Sequence, residues 1–265
     1  MPGRHRPDRR SRRLDRREPA TNAPDVLDAG APPRFFEKFL EGRHYSEIPD
    51  LVARICGICP VAYQVTAAQA LEKLFGVELD PWARGMRGVF YCGEWIQSHS
   101  LHIHLLAAPD FFGCNNAIEL VRIAPDEVRR GLRIQALGNE LMDLFGARSV
   151  HPVGVRVGGF HAAPSLARIE AMREKLRAAL PEAEALIRWT AGIPLPQDDQ
   201  AFLSVALQHP ADYAIERGDI AASDGLRIAA EAFATRILPN TTNRTPPRCS
   251  AAITDSPIWW GRWRV

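Results

Sequence analysis

The sequence predicts a mainly α protein of α+β type, a helical-bundle core with small β elements attached. Three observations carry that prediction. Four long stretches repeat apolar residues at helical spacing, glycines and prolines punctuate their ends, and the strand-like runs are few and short. With 265 residues the chain is long enough for one large domain, or two, with a sizeable buried core. Its 46% apolar and 24% charged residues are ordinary for a soluble globular protein.

Residues 1–31, rich in Arg, Asp, Pro and Ala and without periodicity, read as a disordered leader. Eight arginines and no lysine fall within the first 18 positions, and without them the formal charge of +2 becomes mildly acidic. That balance gives no reason to expect a nucleic-acid partner. No apolar run follows the arginines, so they do not form a secretory signal, and Asp8, Asp15 and Glu18 argue against a transit peptide. No stretch reaches the length of a membrane-spanning helix, and the expectation is a cytoplasmic protein.

The elements follow in order. Pro32 and Pro33 suit the start of a helix carrying Phe35, Phe36, Phe39 and Leu40. Val61 to Phe75 reads as a helix with Val61, Val65, Ala68, Leu71 and Phe75 on one face and Gly76 as its stop. Arg84 to Leu106 is a longer helical pattern, closed by Pro109. Asp126 to Phe145 is a third, with Val128, Leu132, Leu137, Leu141 and Leu144 inward and Gly146 after its end. Ser165 to Trp189 is a fourth, bent or interrupted at Pro181. Val150 to Phe160 reads as loop and strand, and Tyr213 to Ile228, with Arg217-Gly218 and Asp224-Gly225 turns, as a small hairpin. The last 31 residues change character: one acidic residue (Asp255), no helical period, and three of the six tryptophans within the final seven positions. The domain plan is a leader (1–31), one domain (32–233) and an aberrant tail (234–265).

Five cysteines with irregular spacing do not form a disulfide framework. Cys56 and Cys59 stand in Arg54-Ile55-Cys56-Gly57-Ile58-Cys59-Pro60, where a tight turn lets two soft thiolates converge on one metal. Amides at the start of the following helix, and Arg54 beside the first thiol, would favour the thiolate. By spacing alone, zinc, an iron–sulfur cluster, thiol redox chemistry and structural burial all remain open. His99 and His102, three apart on a helix, read as capping or packing residues, His151 as a structural residue, and Cys92 and Cys114 as buried small apolar groups.

The neighbouring words narrow the choice. Pro33-Arg34-Phe35-Phe36-Glu37, Gly42-Arg43, the Cys56–Cys59 word, Gly93-Glu94-Trp95-Ile96-Gln97-Ser98-His99, Gly146-Ala147-Arg148-Ser149-Val150-His151-Pro152 and Val157-Gly158-Gly159-Phe160 occur in one order. Together they resemble the large (alpha) subunit of nickel–iron hydrogenases, of the soluble cytoplasmic NAD(P)-linked, sulfhydrogenase-like type, over roughly residues 32–233. The resemblance implies reversible heterolytic cleavage of H2 at a nickel–iron centre whose iron carries cyanide and carbon monoxide. Electrons would pass to an iron–sulfur small subunit and on to a diaphorase or NAD(P)-linked module. It makes Cys56 a nickel ligand, Cys59 a bridge between nickel and iron, and Glu37 a ligand of a nearby Mg2+, which prefers oxygen donors. Arg54 and Tyr63 would lie beside the ligands.

Three departures from that family stand out. Tyr63 occupies a place where the family often has a histidine, and tyrosine does not titrate near neutral pH. The family's amino-terminal strand, with its proton-transfer glutamate, is absent before Pro32. The sequence also holds a single Cys-x-x-Cys, where the family carries a second near its carboxyl end. Shifting the codons of Pro257 to Val265 by one base allows the phrase Y-L-V-G-P-L-A-R, which the family uses ahead of that second motif. The expectation is therefore that residues from about 235 onward are out of frame and that the chain as written is truncated and inactive. The alternatives are a non-catalytic structural subunit of the complex I type, which shares the fold without nickel, or a non-functional remnant.

Overall fold

The computed structural model describes residues 35–195 and 203–233, with side chains from 38 onward, and the backbone of strands at 237–239, 251–253 and 256–258. The leader, and the tail apart from those strands, lie outside the described residues. The chain is mainly helical, as expected. Helix α1 (Phe35–Leu40) and α2 (Ile48–Val52) are short. Helix α3 (Pro60–Phe75) begins at a proline, whose missing N–H costs nothing at a helix start, and stops where Gly76 turns left-handed at φ 65°. Val61, Val65, Ala68 and Leu71 are buried along it as the periodicity requires. Phe75, expected on the same face, is half exposed and packs edge-on against Tyr45.

Helix α4 (Pro81–Leu101) starts three residues before Arg84, because the Asp80 carboxylate accepts a hydrogen bond from Ala83 N at 2.9 Å and caps it. Pro109 does not close it. The chain passes instead through a π-helical turn (His102–Ala107) into α5 (Ala108–Phe111), where Pro109 sits in the first turn and needs no donor. Helix α6 (Ala117–Ile123) was not expected; Asn116 accepts from Ile118 N and Glu119 N, and the Glu119 carboxylate takes Asn115 N in return.

Helix α7 (Pro125–Gly146) is the partner that α4 packs against most extensively. Val128, Leu141 and Leu144 are buried as expected, but Leu132 is 49% exposed. The reason is that the inner stripe also runs through glycines. A Cβ on Gly138 would lie 2.5 Å from Gln97 N and 2.8 Å from Gly93 O, so the α4 and α7 backbones meet there without side chains between them. Gly146 stays inside the helix, pressed by Pro152 and Phe90, and Ala147 takes the left-handed stop at φ 62°. Helix α8 (Leu166–Ala191), capped by Ser165, runs uninterrupted through Pro181. Exposure of that position leaves water to satisfy the freed carbonyl, and Arg130 and Arg133 of α7 hold the next residue, Glu182.

Strands β1 (Val155–Arg156) and β2 (Gly159–Phe160) form a tight antiparallel pair. The expected hairpin exists as β4 (Asp219–Ala222) and β5 (Arg227–Ile228) around Asp224-Gly225, and β3 (Val205–Gln208) extends it to three strands. A further antiparallel set, β6 (Ile237–Pro239), β7 (Ala251–Ile253) and β8 (Ser256–Ile258), follows. The main core joins α3, α4, α7 and the β1–β2 pair, with the rings of Phe90, Phe145 and Phe160 5.7–6.3 Å apart. A buried Arg87–Glu72 pair, bidentate at 2.7 and 2.9 Å, also binds Arg156 O and Gly158 N. It ties the β1–β2 turn to both α3 and α4.

Candidate metal centre

The stretch between α2 and α3 is a turn that ends at Cys59, the residue preceding the first turn of α3. Its curl brings the amides of Ile58 and Cys59 to 3.4 and 3.3 Å from Cys56 Sγ, and the Cys59 thiol donates to the same sulfur. Burial pushes the Cys56 thiol up, but these donors outweigh it and hold it below its ordinary value. Burial and the donated bond push Cys59 the other way, to about 12. Two adjacent thiols are thus made unequal by one turn of backbone, and Cys56 is the better thiolate.

Three side chains hold that turn through contacts between distant parts of the chain. His151, itself at φ 50°, places Nδ1 2.9 Å from Ala53 O. Gln64, fully buried on α3, donates to Asp50 Oδ1 at 3.0 Å and to Pro152 O at 2.9 Å, joining α2, α3 and the 150s loop. Glu94, 2% exposed on α4, accepts from Val61 N at 2.6 Å and Ala62 N at 3.4 Å, the first free donors of α3. Burial pushes the Glu94 carboxyl up to about 7, against the pull of those two amides. Sequence reasoning gave no role to Gln64 or Glu94; the available signal was a polar residue interrupting the apolar face of each helix.

The other residues singled out fare unequally. Tyr63 is 39% exposed, and its hydroxyl is raised by burial and then by Cys59 and Cys56, so it stands close to the sulfur pair. The Arg54 side chain is exposed and is not among the groups that shift Cys56. Glu37 falls within α1, but its side chain lies outside the described residues. His99 stacks on Trp95, and His102 is exposed. Cys114 is buried beside Ala108, Leu120 and Val128, as expected. Cys92 is exposed, contrary to expectation, because α4 turns its neighbour Gly93 toward α7 instead. Cys249, Trp259 and Trp260 lie outside the described residues.

The donor set fits part of a soft-metal site. Cys56 and Cys59 offer two convergent thiolates suited to nickel or iron. Among the described residues no group of three or more His, Cys, Asp or Glu gathers around an ion. A cleft of about 470 Å³ lined by Tyr45, Phe75, Val77, Arg156 and His161 includes neither thiol. Among the described residues no helix is long and apolar enough to cross a membrane.

Comparison with known proteins agrees with the motif. Residues 34–130 match the nickel-dependent hydrogenase family. The alpha subunit of sulfhydrogenase 2 from Pyrococcus furiosus is 36% identical over 181 residues, covering 68% of this chain and 43% of that one. Sulfhydrogenase 1 subunit alpha of the same organism is 32% identical over 203 residues, 76% of this chain and 47% of that one. The chain thus spans less than half the length of these relatives. The crystal structure of an NAD+-reducing [NiFe]-hydrogenase in its H2-reduced state superposes with a TM-score of 0.69 at 25% identity, over 77% of this chain and 50% of that one. Motif order, fold and these likenesses agree: the homologues of this chain are nickel–iron hydrogenase large subunits, and residues 34–130 are a segment of the nickel-dependent hydrogenase family.

Proposed function

We propose that this chain serves as large-subunit material of a cytoplasmic, NAD(P)-linked nickel–iron hydrogenase, with Cys56 and Cys59 as two thiolate ligands of its metal centre. The observation that carries the reading is the turn itself: two convergent thiols, one stabilised as thiolate by backbone amides, at the start of a helix anchored on three sides. When bound, a nickel–iron centre with cyanide and carbon monoxide on iron supplies heterolytic H2 cleavage. The protein's share is to hold the sulfurs, exclude water and set local charge. Glu37 is assigned to a nearby Mg2+ on the strength of its sequence word, and Arg54 and Tyr63 to the surroundings of the ligands. An iron–sulfur small subunit and a diaphorase module are the proposed partners; the NAD+-reducing character of the matched structure supports the second. Free thiols at Cys56, Cys59, Cys92 and Cys114 suit a reducing compartment.

The 265 residues supply one Cys-x-x-Cys, which is two of the four thiolates such a centre uses, so on this reading they do not turn over H2 alone. The test is nickel binding by the full-length chain, followed by thiolate-to-nickel charge-transfer absorption. Cys56→Ser and Cys59→Ser are each expected to remove the band. Nickel bound with an unchanged spectrum in both variants would end the assignment.

A further inference from the structure

Helix α3 begins without a cap of its own. Cys59, at the capping position, makes no side-chain cap, and Pro60 has no N–H. The next two donors, Val61 N and Ala62 N, point into the protein, where an uncapped pair would leave buried polar groups unmet. Both are met by one oxygen of Glu94, at 2.6 and 3.4 Å. That carboxylate comes from a different helix, 33 residues along the chain, and is itself 2% exposed. Its residue is fixed in turn. Beside it, α4 passes close to α7 at Gly93, where a Cβ would lie 3.1–3.3 Å from Met142 and Leu141, so this part of α4 packs directly on α7.

We infer that Glu94 is the positioning residue of the thiol pair: by capping α3 from α4, it sets where Cys59, and through the turn Cys56, stand relative to the α4–α7 core. The inference rests on the metal-ligand reading of Cys56 and Cys59 and adds a residue to it. A carboxylate at a helix start is favourable through the helix dipole as well as through its hydrogen bonds. The positioning role belongs to the acceptor's reach, and reach and charge are separable. Asp keeps the charge but withdraws the oxygens by one carbon–carbon bond, about 1.5 Å. Gln keeps reach and an acceptor but carries no charge.

The experiment compares full-length wild type, Glu94→Asp and Glu94→Gln by two readouts: amide hydrogen exchange at Val61 and Ala62, and affinity for Ni2+ alone read through its thiolate charge-transfer band. Positioning predicts that Asp weakens nickel binding about tenfold or more, the loss typical of removing a ligand's outer support, and speeds exchange at both amides. Gln should stay within about threefold of wild type, the scale of one modest hydrogen bond. The reverse order, Gln impaired and Asp intact, overturns the inference in favour of a charge effect. Exchange that quickens in Asp while nickel binding holds reduces Glu94 to a helix cap and also overturns it, as does equal loss in both variants. Failure of the underlying reading looks different, since then Cys56→Ser and Cys59→Ser leave the nickel band in place.

Discussion

Cys56 and Cys59 are separated by two residues yet are chemically unlike, and the difference is testable without any metal. Cys56 collects two amide donors and a thiol donor, whereas Cys59 keeps its proton, donates it in a hydrogen bond to that sulfur and is driven to about 12. Iodoacetamide at neutral pH is therefore expected to label Cys56 well ahead of Cys59, as resolved by peptide mass spectrometry, and equal rates would contradict the geometry. A second residue, His104, was not anticipated. It is fully buried in the π-helical turn, its Nδ1 lies 2.9 Å from Ser100 O, and its ring stacks on Trp189 at 5.6 Å. Nε2 has no hydrogen-bond partner, so a second proton there would be unmet. Burial holds this histidine below its ordinary 6.5; Ser100 O and Glu127 pull it up and Arg130 pushes it down, without reversing the direction. With the folded value depressed, the unfolded chain binds the proton more readily. Stability is thus complete above about 6.5 and is lost as pH falls below it. Thermal midpoints should fall for wild type between about pH 7.5 and about pH 5.5, roughly one unit either side of the ordinary value, and fall less for His104→Phe. Parallel slopes would place the acid sensitivity elsewhere.

At the scale of elements, the α4–α7 contact and the Arg87–Glu72 pair fix the frame on which the thiol turn rests. Gly138→Ala places a methyl group 2.5 Å from Gln97 N, against backbone that cannot rotate away. The expected loss is about 1–3 kcal/mol of unfolding free energy by denaturant titration. A neutral result would mean that the helices slide apart at little cost. Arg87 and Glu72, with side chains 0% and 6% exposed, form a pair whose partners must leave together. Removing Arg87 alone, as Arg87→Met, strands a buried carboxylate and should cost about 3–5 kcal/mol, while Arg87→Met with Glu72→Leu should recover much of it. A double variant as weak as the single would show that the loss is dominated by Arg156 O, unbonded in both, together with Gly158 N, which loses its acceptor once Glu72 is replaced.

The whole molecule combines a well-filled centre with a poorly covered outside. Met172 is the one buried residue described along all of α8, which leaves Leu166, Leu180 and Ile187 61–81% exposed. The isolated chain is therefore expected to self-associate with rising concentration in sedimentation experiments, and a strictly monomeric chain would argue that this face needs no cover. Much of the architecture was legible beforehand, because apolar period and glycine or proline punctuation are local properties: α3, α7, α8 and the β4–β5 hairpin all lie close to where the residues indicate. The thiol pair was legible for the same reason, since Cys-x-x-Cys convergence needs only a tight turn. Local pattern misled at Leu132 and Cys92, where the neighbouring helix decides which side faces in and glycine stripes carry no apolar signal, and at Pro109, which a π-helical turn carries into the first turn of α5. By itself, then, the sequence determined the helical class, the order of the motifs and which two thiols meet. Only the tertiary structure decided that Glu94, Gln64 and His151 secure their turn, because those contacts span 33, 88 and 98 residues and depend on how α4 and the 150s loop pack against α3.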